Sequence, residues 1–116
     1  MARKDVLGRS GEDLAVDHLT AQGYTIVDRN WRCQTGEIDI IARDGTTTVM
    51  VEVKTRSGTG YGHPLDAITP IKLARRRRVA AAWCAAHGPV DGLRIDAIAI
   101  VASPHSLSIE HVKQVA

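Results

Sequence analysis

Gly36-Glu37-Ile38-Asp39-Ile40-Ile41-Ala42-Arg43-Asp44-Gly45-Thr46-Thr47-Thr48-Val49-Met50-Val51-Glu52-Val53-Lys54-Thr55 is the stretch that decides the fold. Asp44-Gly45 is a turn signal. Apolar residues alternate with charged ones on both sides of it, the pattern of two half-buried antiparallel strands. With Asp44-Gly45 as a two-residue loop, Arg43 pairs with Thr46, Asp39 with Met50 and Glu37 with Glu52. A four-residue loop, Asp44 to Thr47, sets Asp39 directly opposite Glu52 instead. Either register puts Glu37, Asp39, Glu52 and Lys54 on one face, because opposed residues of an antiparallel pair point the same way. Ile38, Ile40, Val51 and Val53 take the other face, which must be core. A slip of one residue would bury the charges and expose the valines.

Outward from this hairpin the chain alternates between helix and strand signals. Ser10 with Asp13 resembles a capping box, and Leu14, Ala15, Val16 and Leu19 supply the apolar side of a first helix that Gly23 stops. Tyr24 to Trp31 reads as a strand ahead of the hairpin strands Gly36 to Arg43 and Thr46 to Thr55. Ser57 to Pro64, with Tyr61 and His63, is a loop by composition. Thr69-Pro70 opens a second helix that runs to about His87 and ends at Gly88-Pro89; Leu73, Val79, Ala80 and Trp83 are its core candidates. Leu93 to Val101 and Ser106 to Val112 are further strands. A three-strand meander followed by a helical crossover predicts an α/β fold with a mixed sheet flanked by helices.

The bulk properties bound the rest. The chain has 116 residues, 44% of them hydrophobic, which predicts one domain over 1–116 with a single aliphatic core. No apolar run nears the roughly 18 residues of a membrane span, and Met1 to Asp5 leads into no apolar signal core, so a cytoplasmic protein without membrane attachment is expected. Cys33 and Cys84 lie in no zinc-binding spacing. They read as free thiols, with a single disulfide as the alternative. Net charge is only +2. Its distribution is more informative: Lys72 and Arg75 to Arg78 crowd one short segment, and Lys54 and Arg56 another. Such local basic density binds phosphates. Lys72, Arg75 and Arg76 share one side of a helix, either as a phosphate-contacting ridge or as a solvated face.

Acids facing each other across a hairpin repel, so stability gives no reason to gather them. A divalent cation removes that repulsion, and Mg²⁺ takes one or two carboxylates plus water and phosphate oxygens. Lys54 shares the face with Glu52 and is placed to orient a nucleophile or offset charge in a phosphoryl transition state. The alternative is a solvated polar face with Lys54 paired to Glu52. Glu12, in the first turn of a helix, is favoured there by the helix dipole alone. Asp96 reads as a strand-face partner of Arg94. Two Trp and two Tyr are too few for stacking on many unpaired bases, so backbone and shape recognition is the expected mode.

The order Glu12, Gly36-Glu37-Ile38-Asp39, Glu52-Val53-Lys54 resembles the PD-(D/E)XK nuclease superfamily. Closer still, the chain resembles the bacterial YraN-like family. That resemblance includes Gly11-Glu12 with Ala15, Asn30-Trp31-Arg32, Val51 to Arg56, Ala67 with Lys72, and Arg94-Ile95-Asp96. It implies a restriction-endonuclease-like αβββαβ core similar to that of archaeal Holliday-junction resolvases. Carried over position by position, it implies Asp39, Glu52 and Glu12 as metal-binding acids and Lys54 as the catalytic lysine. Ile38 stands where the superfamily pattern has proline, and Glu37 is extra to it.

Two readings follow. One is a Mg²⁺-dependent endonuclease, with Mn²⁺ as a substitute cation, acting on DNA that includes branched forms in repair or recombination. Arg56, Lys72, Arg75 and Arg76 then hold the backbone, and a homodimer supplies two sites for two strands. The other is a non-catalytic module that binds nucleic acid or protein on the same fold, as the modest net charge and small size suggest.

Overall fold

The computed structural model describes residues 3–56, 69–103 and 105–115, with side chains from residue 11 onward. The expected Ser57 to Pro64 loop, with Tyr61 and His63, and Ala67 lie outside the described residues. The elements are α1 (Arg3–Ala21), β1 (Thr25–Cys33), β2 (Gly36–Asp44), β3 (Thr47–Arg56), α2 (Pro70–His87), β4 (Gly92–Ala102) and β5 (Leu107–Val112). The strands form one sheet in the order β1-β2-β3-β4-β5. The β3–β4 pair is parallel and the other three are antiparallel. This is the mixed α/β sheet that the meander and crossover predict, consistent with a restriction-endonuclease-like core.

One helix boundary differs from expectation. α1 starts at Arg3, ahead of Ser10. The segment before Ser10 carries Arg, Lys and Leu, which propagate a helix well, so Ser10 lies within the helix instead of capping it. At the other end, Gly23 takes φ 91°, the left-handed conformation that turns the chain out of the helix. α2 begins as its sequence predicts. Thr69 has extended backbone and its side chain accepts the Lys72 N–H, while Pro70 occupies the first turn.

The hairpin register also differs from the first of the two expected. Asp44 pairs with Thr47, Arg43 with Thr48 and Ile40 with Val51, which is the register of the four-residue alternative. The loop itself is Gly45-Thr46. Gly45 takes φ 62° at the first loop position, where a tight hairpin turn favours glycine.

Helices cover both faces of the sheet. Ala15 and Leu19 of α1 pack with Tyr24, Ile40, Ala42, Val49, Val51, Ile98 and Ile100. Val79, Ala80 and Trp83 of α2 pack with Ile38, Ile41, Met50 and Ile95 on the other side. The core is therefore two clusters, one on each side of the sheet. Ile40, Val51 and Val53 lie on the α1 side as one set. Ile38 does not join them and packs on the α2 side, as does its cross-strand partner Trp31. The alternation breaks at the level where Asn30 of β1 adopts φ 54°, a conformation that asparagine tolerates. Cys33 and Cys84 are free thiols at the margin of the α2-side cluster.

α1 sits close to the sheet because of one glycine. A Cβ at Gly11 would collide with the Thr55 hydroxyl of β3. Gly11→Ala is expected to cost about 1–2 kcal/mol despite alanine's higher helix propensity. In a Thr55→Ala background the same change is expected to be neutral or stabilising. Urea denaturation of the four proteins in this cycle measures the coupling.

Candidate functional site

The site forms where β2 and β3 part. The β2–β3 ladder runs from Asp44↔Thr47 to Ile40↔Val51. One step further, the Asp39 side chain replaces a backbone acceptor: its Oδ2 takes the Val53 N–H at 2.8 Å. Val53 lies between Glu52 and Lys54 in sequence, so this bond holds the Asp39 carboxylate against the segment that carries both. Glu52 is nearly buried on the α2 side of the sheet. Its Oε1 is 3.0 Å from Lys54 Nζ and 2.8 Å from Arg76 Nη2. Arg76 Nη1 donates to the Glu37 carbonyl at 3.5 Å. One guanidinium thus spans from β2 to β3 across the opening. Lys72, one turn earlier on α2, joins Glu52, Lys54, Leu73 and Arg76 around a shallow pocket that Ile95 and Val115 complete.

Burial pushes the Asp39 carboxyl up to about 6, against the pull of the Val53 N–H; the Glu52 and Glu37 charges add to the rise, and Arg76 opposes it. A carboxyl raised in the folded state stabilises the protein most below its unfolded pKa. Its contribution is lost as pH rises from about 4 through about 6. Asp39→Asn keeps an oxygen for the Val53 N–H and removes the charge. The variant is expected to exceed the native protein in stability by on the order of 2 kcal/mol at pH 8 and to match it below pH 4. Thermal or urea unfolding at the two pH values checks this.

The other expected residues fall into three groups. Lys54, Lys72 and Arg76 come together with Glu52. Arg56 bonds the Thr55 carbonyl at 3.2 Å beside the site, and Arg75 is exposed on α2. Glu12 lies on α1, and its carboxylate is engaged by Arg29 at 3.3 Å; Arg29 also holds Asp13 at 2.7 Å. Among the described residues no group of three or more His, Cys, Asp or Glu side chains is arranged for a metal ion. The Asp39 and Glu52 carboxylates act on each other through their charges. An oxygen pair of this kind fits Mg²⁺, which retains water and takes phosphate oxygens in its remaining positions. Glu37 pairs with Arg32 of β1 at 3.0 Å and acts on the site through its charge and its carbonyl.

Sequence reasoning grouped Arg76 with Lys72 and Arg75 but did not pair it with Glu52. The pairing depends on how α2 lies over the sheet, although the Lys72/Arg76 spacing of one turn was a usable signal. Val115 carried no signal at all.

The model of the uncharacterised protein family UPF0102 matches residues 11–100. The chain belongs to UPF0102. A UPF0102 protein of Leifsonia xyli is 60% identical over 102 residues, covering 87% of this chain and 86% of its own length. One from Clavibacter michiganensis is 52% identical over 105 residues, covering 87% and 86%. One from Beutenbergia cavernae is 47% identical over 117 residues and spans 99% of both chains. UPF0102 is the YraN family that the hairpin and Arg94-Ile95-Asp96 resemble. The matched span of the UPF0102 model takes in the whole β2–β3 site and α2. No helix among the described residues is long and apolar enough to cross a membrane.

Proposed function

We propose that this UPF0102 chain is a Mg²⁺-dependent endonuclease that hydrolyses DNA phosphodiester bonds, branched DNA included, in repair or recombination. The observation that carries the reading is the Asp39–Val53 bond at the point where β2 and β3 part. It fixes one carboxylate beside Glu52 and Lys54. Asp39 and Glu52 would hold the cation, which supplies a lowered pKa for bound water and polarisation of the phosphate. Lys54, with its ammonium on the same face as Glu52, orients the attacking water or offsets charge on the phosphoryl oxygens. Lys72 and Arg76 face the same pocket and hold the phosphate in line. Arg56 and Arg75 extend the basic surface along the nucleic-acid backbone, where contacts are independent of sequence.

Cleavage of linear, single-stranded, flapped and four-way DNA with Mg²⁺, Mn²⁺ or chelator tests the proposal. Metal-dependent products that disappear in Glu52→Ala and Lys54→Ala support it. Products that persist in both variants, from clean protein, sink it.

A second reading has an observation of its own. Glu52 is already engaged through one oxygen by two cations, and no third acid joins it among the described residues. In a non-catalytic nucleic-acid-binding module this triad is structural. Affinity for DNA then follows Arg75 to Arg78, falls steeply with salt and is indifferent to metal.

A further inference from the structure

We propose that Arg76 gates the site: it competes with a divalent cation for Glu52, so that metal entry and transfer of Arg76 to a substrate phosphate are one exchange. This rests on reading Asp39 and Glu52 as cation ligands. Arg76 reaches both strands of the hairpin where they part. Its Nη2 binds Glu52 at 2.8 Å and its Nη1 reaches the Glu37 carbonyl at 3.5 Å. Its guanidinium is therefore the group that stands against the Glu52 carboxylate from the α2 side. Lys54 sits on the same Glu52 oxygen at 3.0 Å. A dication bound by Asp39 and Glu52 would face two fixed positive charges at close range, in a partly buried setting where screening is weak.

The two cations differ in their freedom to leave. Lys54 stands on a strand in the centre of the sheet, paired with Ala99 of β4, and its backbone is fixed. Arg76 stands on α2 with a longer, forked side chain, one turn from Lys72 at the shared pocket. Rotation about its side-chain bonds would carry the guanidinium off Glu52 towards Lys72, within the pocket they share, without moving the helix. A guanidinium matches phosphate oxygens bidentately, so a phosphodiester is the natural acceptor for the released group. Metal binding then raises affinity for nucleic acid, and nucleic acid raises affinity for metal by the same factor. The device keeps Glu52 paired until both ligands are present.

The test is Mn²⁺ binding, by calorimetry and by electron paramagnetic resonance of free Mn²⁺, in the absence of nucleic acid. The proteins are wild type, Arg76→Gln, Lys72→Gln and Glu52→Gln, each checked for native circular dichroism. Arg76→Lys serves as a second variant that keeps the charge and the helix while losing the fork. The expected result is that Arg76→Gln binds Mn²⁺ about tenfold more tightly than wild type. Lys72→Gln removes the same charge from the pocket but leaves the Glu52 bonds, and is expected to change affinity by less than about threefold; Arg76→Lys is expected to fall between wild type and Arg76→Gln. Unchanged or weaker binding by Arg76→Gln, with binding abolished in Glu52→Gln, overturns the gate while leaving the metal site standing. Equal tightening in Lys72→Gln also overturns it, since the effect is then general charge. Absence of Mn²⁺ binding in every protein overturns the metal reading and the gate with it.

Discussion

On the proposed endonuclease reading, Glu52→Gln is expected to lower metal-dependent DNA cleavage by at least about 10²–10³-fold while the protein stays folded. The substitution preserves size and removes the charge on which the site depends. Glu52 is the acid that sits with Lys54 and Arg76, and its neighbour Val53 fixes Asp39. Loss of its charge also deprives Lys54 and Arg76 of the carboxylate oxygen they share. Both side chains are about one-quarter exposed, so water makes up part of that loss. A stability loss of about 1–2 kcal/mol is expected, well short of unfolding a domain of this size. Initial rates on a cleavable duplex, with circular dichroism and urea melts on the same preparations, measure both effects. A variant that is folded and still cleaves at native rate would remove Glu52 from the chemistry.

Arg94→Ala is expected to produce the largest stability loss, about 3–5 kcal/mol, with no direct effect on the β2–β3 site. Asp96 is fully buried on the α1 side of the sheet. Arg94 binds it bidentately, Nε to Oδ1 at 2.8 Å and Nη2 to Oδ2 at 3.0 Å. His111 meets Oδ2 at 2.7 Å, and the Gln114 N–H donates to Oδ1 at 3.0 Å. Arg94 also donates to the Tyr24 hydroxyl at 2.6 Å, which ties β4 to the start of β1. Without Arg94 the carboxylate stays buried and loses its only fixed positive charge among these partners. Burial alone would push the Asp96 carboxyl up. The bonds from His111, Arg94 and Gln114 outweigh it and hold the group down at about 2.

A depressed carboxyl stabilises the fold above its unfolded pKa. That stability is lost as pH falls from about 4 to about 2. The native protein should therefore lose on the order of 2 kcal/mol across that window through Asp96, and Arg94→Ala should show a flatter acid limb. Urea unfolding at several pH values between 2 and 7 reads both quantities. An Arg94→Ala protein with native stability would show that the network adds nothing beyond geometry.

Much of this molecule is legible in its residues. Gly45 and the β-branched run after it announce a hairpin, and the 2-residue period decides which side chains share a face. Thr69-Pro70 and Gly88 bracket α2 because capping and proline chemistry are local. The Arg94–Asp96 pair follows from strand spacing alone, since residues two apart lie on one side of a strand. Glu52 and Lys54 come together for the same reason.

The remainder depends on contacts between distant segments. Sequence alternation near Asp44 admits two registers, and the turn geometry at Gly45 selects one. Ile38 leaves the face of Ile40 at the level where Asn30 of the neighbouring strand takes a left-handed φ of 54°, a feature that alternation in β2 does not announce. Only the packing of α2 over Ile41, Met50 and Ile95 brings Arg76 to Glu52. The sequence by itself determined the strands, the helices and the Glu52–Lys54 pair on one face of β3, because backbone periodicity and capping act over a few residues. The tertiary structure alone decided that Arg76 joins Lys54 at Glu52, that Arg29 engages Glu12, and that His111 and Gln114 close around Asp96, because each partner comes from an element whose position is fixed only by burial of the two core clusters.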